Sequence, residues 1–318
     1  MFQASSVLSP DEILMLKRKS DLRGVWMIFH AWGTVFAAMA MFVWWPNPLT
    51  LVLAICIIGA RQLGFGILMH DAAHGLLFNN MRLNDFAGTW LTGYPVMSDM
   101  RIYRPYHVGL HHRFTQQKND PDLSLSAPFP ITRKSFLRKV VRDLTGQTAY
   151  KQRKGLIKFA LGRADLPWRQ RLAKAWRRLG GPIIANAILF AMLATFGRWW
   201  LYPVLWVVPF MTFEPLIARI RSIGEHSMVP DNDDLFRNSR TTYASWPARA
   251  FVAPYFVNYH LEHHLMLFVP CYNLPKAHKL MLAKGYGPRM EIQRDGYLAL
   301  LARASSRPEI PSGIRAAA

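Results

Sequence analysis

The chain has 318 residues, 51% hydrophobic and 13% aromatic, and carries 39 Lys and Arg against 19 Asp and Glu for a net charge of +20. That apolar content is rich for a soluble protein, and once its long apolar runs are counted the positive charge suits lipid headgroups or an acidic protein better than nucleic acid. Two cysteines, Cys56 inside an apolar run and Cys271, make a disulfide framework an unsuitable reading.

In chain order, the first 23 residues are polar and charged, with no cleavable signal pattern before the first apolar run. Gly24 to Trp45, Leu49 to Met69, Leu179 to Gly197 and Leu201 to Ile220 each supply about 20 mostly apolar residues, enough to cross a bilayer as helix. Only Pro46-Asn47-Pro48 joins the first pair and Arg198 to Trp200 the second, so two antiparallel hairpins are predicted. Each turn carries a tryptophan pair suited to the interface, Trp44/Trp45 and Trp199/Trp200. Between Thr132 and Arg178 fifteen Lys or Arg face two acids, Asp143 and Asp165, and Lys17, Arg18, Lys19 and Arg23 precede the first span. The turns hold only Arg198, so the positive-inside rule places both termini and the segments 70–178 and 221–302 in the cytoplasm.

The expected fold is all-α: a four-transmembrane-helix bundle of two hairpins with a helical cytoplasmic cap, one integral-membrane domain over residues 1–302. The small, polar, Pro-rich stretch from 303 to 318 is expected to be a disordered tail. Phe86 to Met97 is too short to span, contains Gly88, Gly93 and Pro95, and is expected to dip into the interface. Arg61 and Glu214 are charges within spans, which are costly unless paired. Each lies roughly ten residues before a histidine group, so a buried Arg61 to Glu214 pair linking spans two and four is expected.

Nine of the eleven histidines cluster as HDAAH (His70, His74), HVGLHH (His107, His111, His112), GEH (His226) and HLEHH (His260, His263, His264). The spans deliver all nine to one compartment. On a helix, residues three or four apart share a face, so His70 with His74, His107 with His111, and His260 with His263 or His264 can each grip one centre. The adjacent pairs His111/His112 and His263/His264 point about 100° apart and can divide between two ions. A zinc ion takes three or four ligands, so nine suit two ions at four or five each. Two divalent ions on neutral imidazoles leave a charge of about +4, which calls for a bridging hydroxide or oxide and nearby acids. Asp71, Glu225, Glu262, Asp120 and Asp122 are the candidates. Imidazole by itself admits zinc, copper, iron or nickel. Of the two other histidines, His30 reads as a polar contact within the bundle and His278 as a cap or packing residue of a cytoplasmic helix.

HDAAH, HVGLHH with the downstream HHRFTQQKNDPDL, and NYHLEHH resemble the histidine boxes of the integral-membrane fatty acid desaturases, and GEH is similar to the extra histidine after their last span. The resemblance covers residues 20 to 285. It implies a non-haem di-iron enzyme that uses dioxygen and two electrons to oxidise an unactivated methylene of an acyl lipid, with the nine clustered histidines as ligands. It also implies a water-linked asparagine, for which Asn258 is the candidate, since Ser222 stands four residues before His226. With no flavin or nicotinamide fingerprint, electrons are expected from a ferredoxin-like or b-type cytochrome donor, and Arg133, Lys134, Arg138, Lys139 and Arg142 offer it a dock. Hydroxylation or ketolation of a lipid, sphingoid base or carotenoid is the rival reading on the same scaffold. A membrane zinc protease needs a glutamate where Asp71 stands, and a haem protein would place isolated histidine pairs on facing spans.

Overall fold

A computed structural model describes residues 3–308. Helix α1 (Pro10–Lys17) starts at Ser9, whose hydroxyl accepts from Glu12 N while the Glu12 carboxylate accepts from Ser9 N. Four longer helices follow, long and apolar enough to cross a membrane: α2 (Asp21–Trp44), α3 (Pro48–Ala73), α8 (Trp168–Thr195) and α9 (Tyr202–His226). The chain is thus a multi-pass membrane protein of all-α class, and among the described residues its only strand pairing is Thr241–Thr242 beside Ile292–Gln293, in parallel.

The first hairpin turns on Trp45, Pro46 and Asn47. Asn47 Oδ1 accepts from the backbone of Leu49 and Thr50, and Pro48 takes the first helical position, where its missing donor costs nothing. α3 has no proline after its first residue and no left-handed glycine before Gly75, which adopts a φ of 74°. It therefore runs past the expected end at Met69, keeps His70 inside the helix and is capped by His74. In its apolar window 61% of residues are buried, against 22–33% for the other three, so α3 is the central helix. Leu49, Val52 and Leu53 are exposed at its start, whereas Ile58 to Ala73 are almost continuously buried. α2 contributes Ala31, Val35, Ala38 and Met39 to the shared core, the spacing of one helical face.

The segment Phe86 to Met97 is helical. It completes α4 (Met81–Phe86), then forms a π-turn over Ala87–Gly93 and a 3₁₀ turn over Tyr94–Val96. It lies along the last turns of α3, where a Cβ on Gly88 would come within 2.3 Å of Ala72 Cβ, so only glycine allows the approach. Its outer face carries Trp90 and Leu91, and the Leu91 carbonyl accepts from Trp32 Nε1 of α2 at 2.9 Å. Beyond it, α5 (Met100–Tyr106) leads into the second histidine box.

The basic segment folds as α6 (Arg133–Leu144), α7 (Gln147–Leu161) and the start of α8. It is fixed to the last span by Arg219, whose guanidinium donates to both oxygens of fully buried Asp143 at 2.6 and 2.8 Å. Prolines at 203, 209 and 215 remove backbone donors along α9, which opens with a π-turn over Tyr202–Val207 and kinks at Thr212. After α9, helix α10 (Trp246–Phe251) and the turn to Phe256 fold back against α3, so closely that a Cβ on Gly64 would sit 2.9 Å from the Tyr255 ring. The cap is completed by α11 (His260–Leu265), α12 (Leu274–Ala283) and α13 (Gly296–Ala304). α13 extends into the first two residues of the expected tail, and residues 309–318 lie outside the described part.

The expected Arg61 to Glu214 pair does not form. Arg61 donates to the Ala250 carbonyl at 2.6 Å and lies over the Tyr255 ring, while Glu214 faces a cavity with Gln62 and Arg153. One residue rotates a helix by about 100°, so Arg61 and Gln62 address different neighbours although their depth is similar.

Removing one partner of the Asp143–Arg219 pair strands the other, at an expected cost of about 3–5 kcal/mol. Asp143→Ala should lower the unfolding midpoint in detergent as much as Arg219→Ala. The double variant should cost much less than the sum of the two, which a double-mutant cycle measures.

Candidate dimetal centre

The nine clustered histidines converge at one end of the bundle in two groups. His70, His74, His107, His112 and His263 form the first, and His111, His226, His260 and His264 the second; within each, one nitrogen per ring lies within 4.8 Å of the others. The last turn of α3 supplies His70 and its cap His74, and the last residue of α9 supplies His226. The adjacent pairs His111/His112 and His263/His264 divide between the groups, as their spacing predicts.

The sorting within the boxes follows the spacing in part. His107 to His111 form a π-turn, whose i to i+5 hydrogen bonding widens the turn. His107 therefore also meets His112, with Nε2 atoms 2.9 Å apart, while it stays within reach of His111, with which and Asp122 it forms a third, smaller group. On α11 it is His264 that joins His260, at 3.0 Å, whereas His263 turns to His112 at 3.1 Å. His260 and His226 approach to 2.8 Å.

These separations fit a metal. Ring nitrogens bound at about 2.0–2.1 Å and at right angles to one another lie about 2.9 Å apart. The donor set fits too, because His70 Nε2 and His74 Nε2 are buried without a hydrogen-bond partner. Burial, reinforced by neighbouring imidazoles, holds His107, His112, His260, His263 and His264 below the usual histidine range. Burial and Arg104 bring His74 down to about 4. Neutral rings with free lone pairs are what a cation requires.

The surrounding acids take unequal parts. Buried Asp120 accepts from His111 Nδ1 at 2.9 Å and from Gln116 N at 2.8 Å, which fixes that ring's orientation. Asp122 lies 3.7 Å from the same nitrogen and accepts from the Tyr106 hydroxyl. Glu225 is held by Arg221 at 2.7 Å, one turn earlier on α9, and stands 3.5 Å from His260 Nδ1. Asp71 is 3.9 Å from His70 Nδ1 and accepts from Cys271 N at 3.0 Å, so its firmer role is to tie α3 to the cap. Glu262 meets none of the nine; it binds His278 Nδ1 at 2.6 Å and the Thr241 hydroxyl. Asn258 donates to the Thr242 carbonyl at 3.1 Å, and no hydrogen bond joins it to a histidine of either group.

Of the two outlying histidines, His278 on α12 bridges Glu262 and the Tyr243 hydroxyl, the latter at 3.1 Å, and His30 meets the Tyr255 hydroxyl at 3.2 Å. Sequence reading passed over Tyr103, which stacks on His107 at 5.0 Å, and Arg221. Both stand four residues before a residue of the site, on the same helix face, a signal that was present in the spacing. Thr115, whose hydroxyl is 3.2 Å from His264 Nδ1, had no such signal.

Membrane-length helices bearing two all-histidine groups at one end define a class, multi-pass membrane proteins with a candidate dimetal site. The family model for fatty acid desaturases matches residues 42–293, and the chain belongs to that family. Its relatives include the dihydrorhizobitoxine desaturase of Bradyrhizobium elkanii, 28% identical over 75% of this chain and 68% of that protein. The sn-1 oleoyl-lipid 12-desaturase of Picosynechococcus is 24% identical over 69% of this chain and 65% of its own length. The beta-carotene ketolase of a Paracoccus species is 25% identical over 85% of this chain and 94% of its own. The chain thus spans about two thirds of those two desaturases and nearly all of the ketolase.

Ligand-orienting partners of this kind are worth about 10–100-fold in metal affinity. Asp120→Asn should weaken divalent-metal binding by that factor with the fold intact, measured by competition against a chromophoric chelator. Glu262→Gln should change it far less.

Proposed function

We propose that the chain is an oxygen-dependent desaturase of a membrane lipid chain, with iron in both histidine groups. The observation that carries this is the division of nine clustered histidines into groups of five and four beside a cavity that His70 helps to line. Two ions of a redox metal, held by His70, His74, His107, His112 and His263 and by His111, His226, His260 and His264, are what a two-electron oxidation with dioxygen needs. The family is generally di-iron, which favours iron over the other metals imidazole accepts.

When bound, the iron pair supplies the activation of dioxygen. The net change removes two hydrogens from adjacent carbons and, with two electrons and two protons, reduces dioxygen to two waters while one double bond forms. The protein's own part is to fix the rings through Asp120, Glu225 and Thr115, to exclude bulk water by burial, and to hold a chain against His70. The cavity adjoins an apolar groove between α8 and α9, with Met97, Arg153, Leu156 and Phe210 lining both, a position that suits entry from the bilayer.

Electrons would come from a ferredoxin-like or b-type cytochrome protein docking on Arg133, Lys134, Arg138, Lys139 and Arg142 of α6. The Lys and Arg distribution favours a cytoplasmic site with both termini on that side. Residues 1–302 would act as one integral-membrane domain.

A second reading is favoured by the extent of the ketolase matches, each over 85% of this chain: oxygen insertion, as hydroxylation or ketolation, on the same centre. Lipid mass spectrometry of an expressing host decides between them. Desaturation lowers the product mass by two hydrogens, oxygen insertion raises it, and His263→Ala should abolish either. Elemental analysis should find two irons per wild-type chain and about one after His74→Ala or His226→Ala. Complete loss in both variants would mean that neither group holds an ion without the other.

A further inference from the structure

The cavity beside His70, about 370 Å³ in volume, is lined mostly by apolar residues but carries polar side chains that a plain hydrocarbon would leave unsatisfied. Gln62, Glu214 and Arg153 are among them. Gln62 is 1% exposed; its Nε2 donates to the Trp206 carbonyl at 2.7 Å, and its Oε1 is buried with no hydrogen-bond partner. Glu214 faces Arg153 as its charged neighbour across the cavity, without a hydrogen bond between them. Arg153 lies over the Phe210 ring at 4.2 Å, and its Nε is buried without a partner. Arg221, the other cation of the wall, is already engaged with Glu225.

The level of this polar end follows from helix geometry. The backbone of Glu214 packs against Gly59, and Gln62 is eight residues before His70 on the same helix. At 1.5 Å per residue the polar end lies about 12 Å from His70 along α3. Two acceptors, Gln62 Oε1 and the Glu214 carboxylate, stand there with one donor, the Arg153 guanidinium. A carboxylate ligand would face Glu214 with like charge, and a bare methylene chain would leave all three unsatisfied. A hydroxyl both donates and accepts, and so satisfies each side.

We infer that Gln62, Glu214 and Arg153 form a hydroxyl-binding subsite, and that the lipid oxidised here carries a hydroxyl about 12 Å from the reacting carbon. The subsite would set where along the lipid the reaction falls. This deepens the reading given under Proposed function and rests on His70 belonging to the metal centre.

The test is a thermal-shift titration of the full-length, metal-loaded protein in detergent with three C18 probes: oleyl alcohol, oleate and 9-octadecene. The alcohol should bind about tenfold more tightly than either of the others, the difference expected for one well-made hydrogen bond set in a buried site. Glu214→Met should remove that advantage and leave the affinity for octadecene within about twofold. Arg153→Met, on a helix outside the four spans, should act in the same direction and serves if the Glu214 variant fails to fold. Equal affinity for alcohol and alkene in the wild type, oleate as the tightest probe, or an equal loss for all three in the variants would each overturn the inference. Binding requires no turnover, so a host that shows no oxidised lipid would count against the enzymatic reading alone.

Discussion

Bringing nine imidazoles together with their unprotonated nitrogens a few ångströms apart is the constraint on which the remaining structure depends. Protonating rings packed this closely in a dry site would set positive charges against one another, whereas a cation between the nitrogens would be shared by their lone pairs. The arrangement suits a metal, and it needs a scaffold stiff enough to hold the rings in place. The scaffold meets that demand by putting the first box on the central helix. α3 is capped at Asn47, has no left-handed glycine before Gly75 and is buried around its whole circumference near the site.

The rest of the cap is arranged about that end of α3. Gly88 lets the 87–93 turn lie directly on Ala72, and Asp71 ties the cap at Cys271. Asp120 and Thr115 orient rings of the second group by hydrogen bonds, and the Glu225 carboxylate stands 3.5 Å from His260 Nδ1. Glu262 and His278 form a separate buried pair that joins α11 to α12, so the helix bearing His260, His263 and His264 is fixed from behind. Stability and chemistry therefore share residues here, whereas Gln62 Oε1 and Arg153 Nε, in the wall of the cavity, are buried with no hydrogen-bond partner.

Most of the site was legible in the sequence because its signals are local. Apolar runs of bilayer length report spans, short Pro-containing links report hairpins, and histidines three to five apart report convergence on a helix face. One reading was incomplete and two failed, each for a nonlocal reason. The approach of His107 to His112 beside His111 depends on a π-turn, which composition does not announce. Arg61 was matched to Glu214 by depth, but depth leaves azimuth undetermined, and one residue of rotation sends Arg61 to Ala250. Glu262 was grouped with the metal acids by its place in HLEHH, yet α11 is short and its far face belongs to His278.

Helical class, four membrane-length helices and nine clustered histidines can be read from the chain directly, because each is carried by spacing along one helix or by composition within one run, and the order of the histidine boxes carries the family resemblance. The division of the nine into five and four, the acids beside them and the lining of the cavity emerge only in the folded molecule. Those properties arise where separate helices meet, and their relative rotation is set by packing across the whole core, with α3 at its centre.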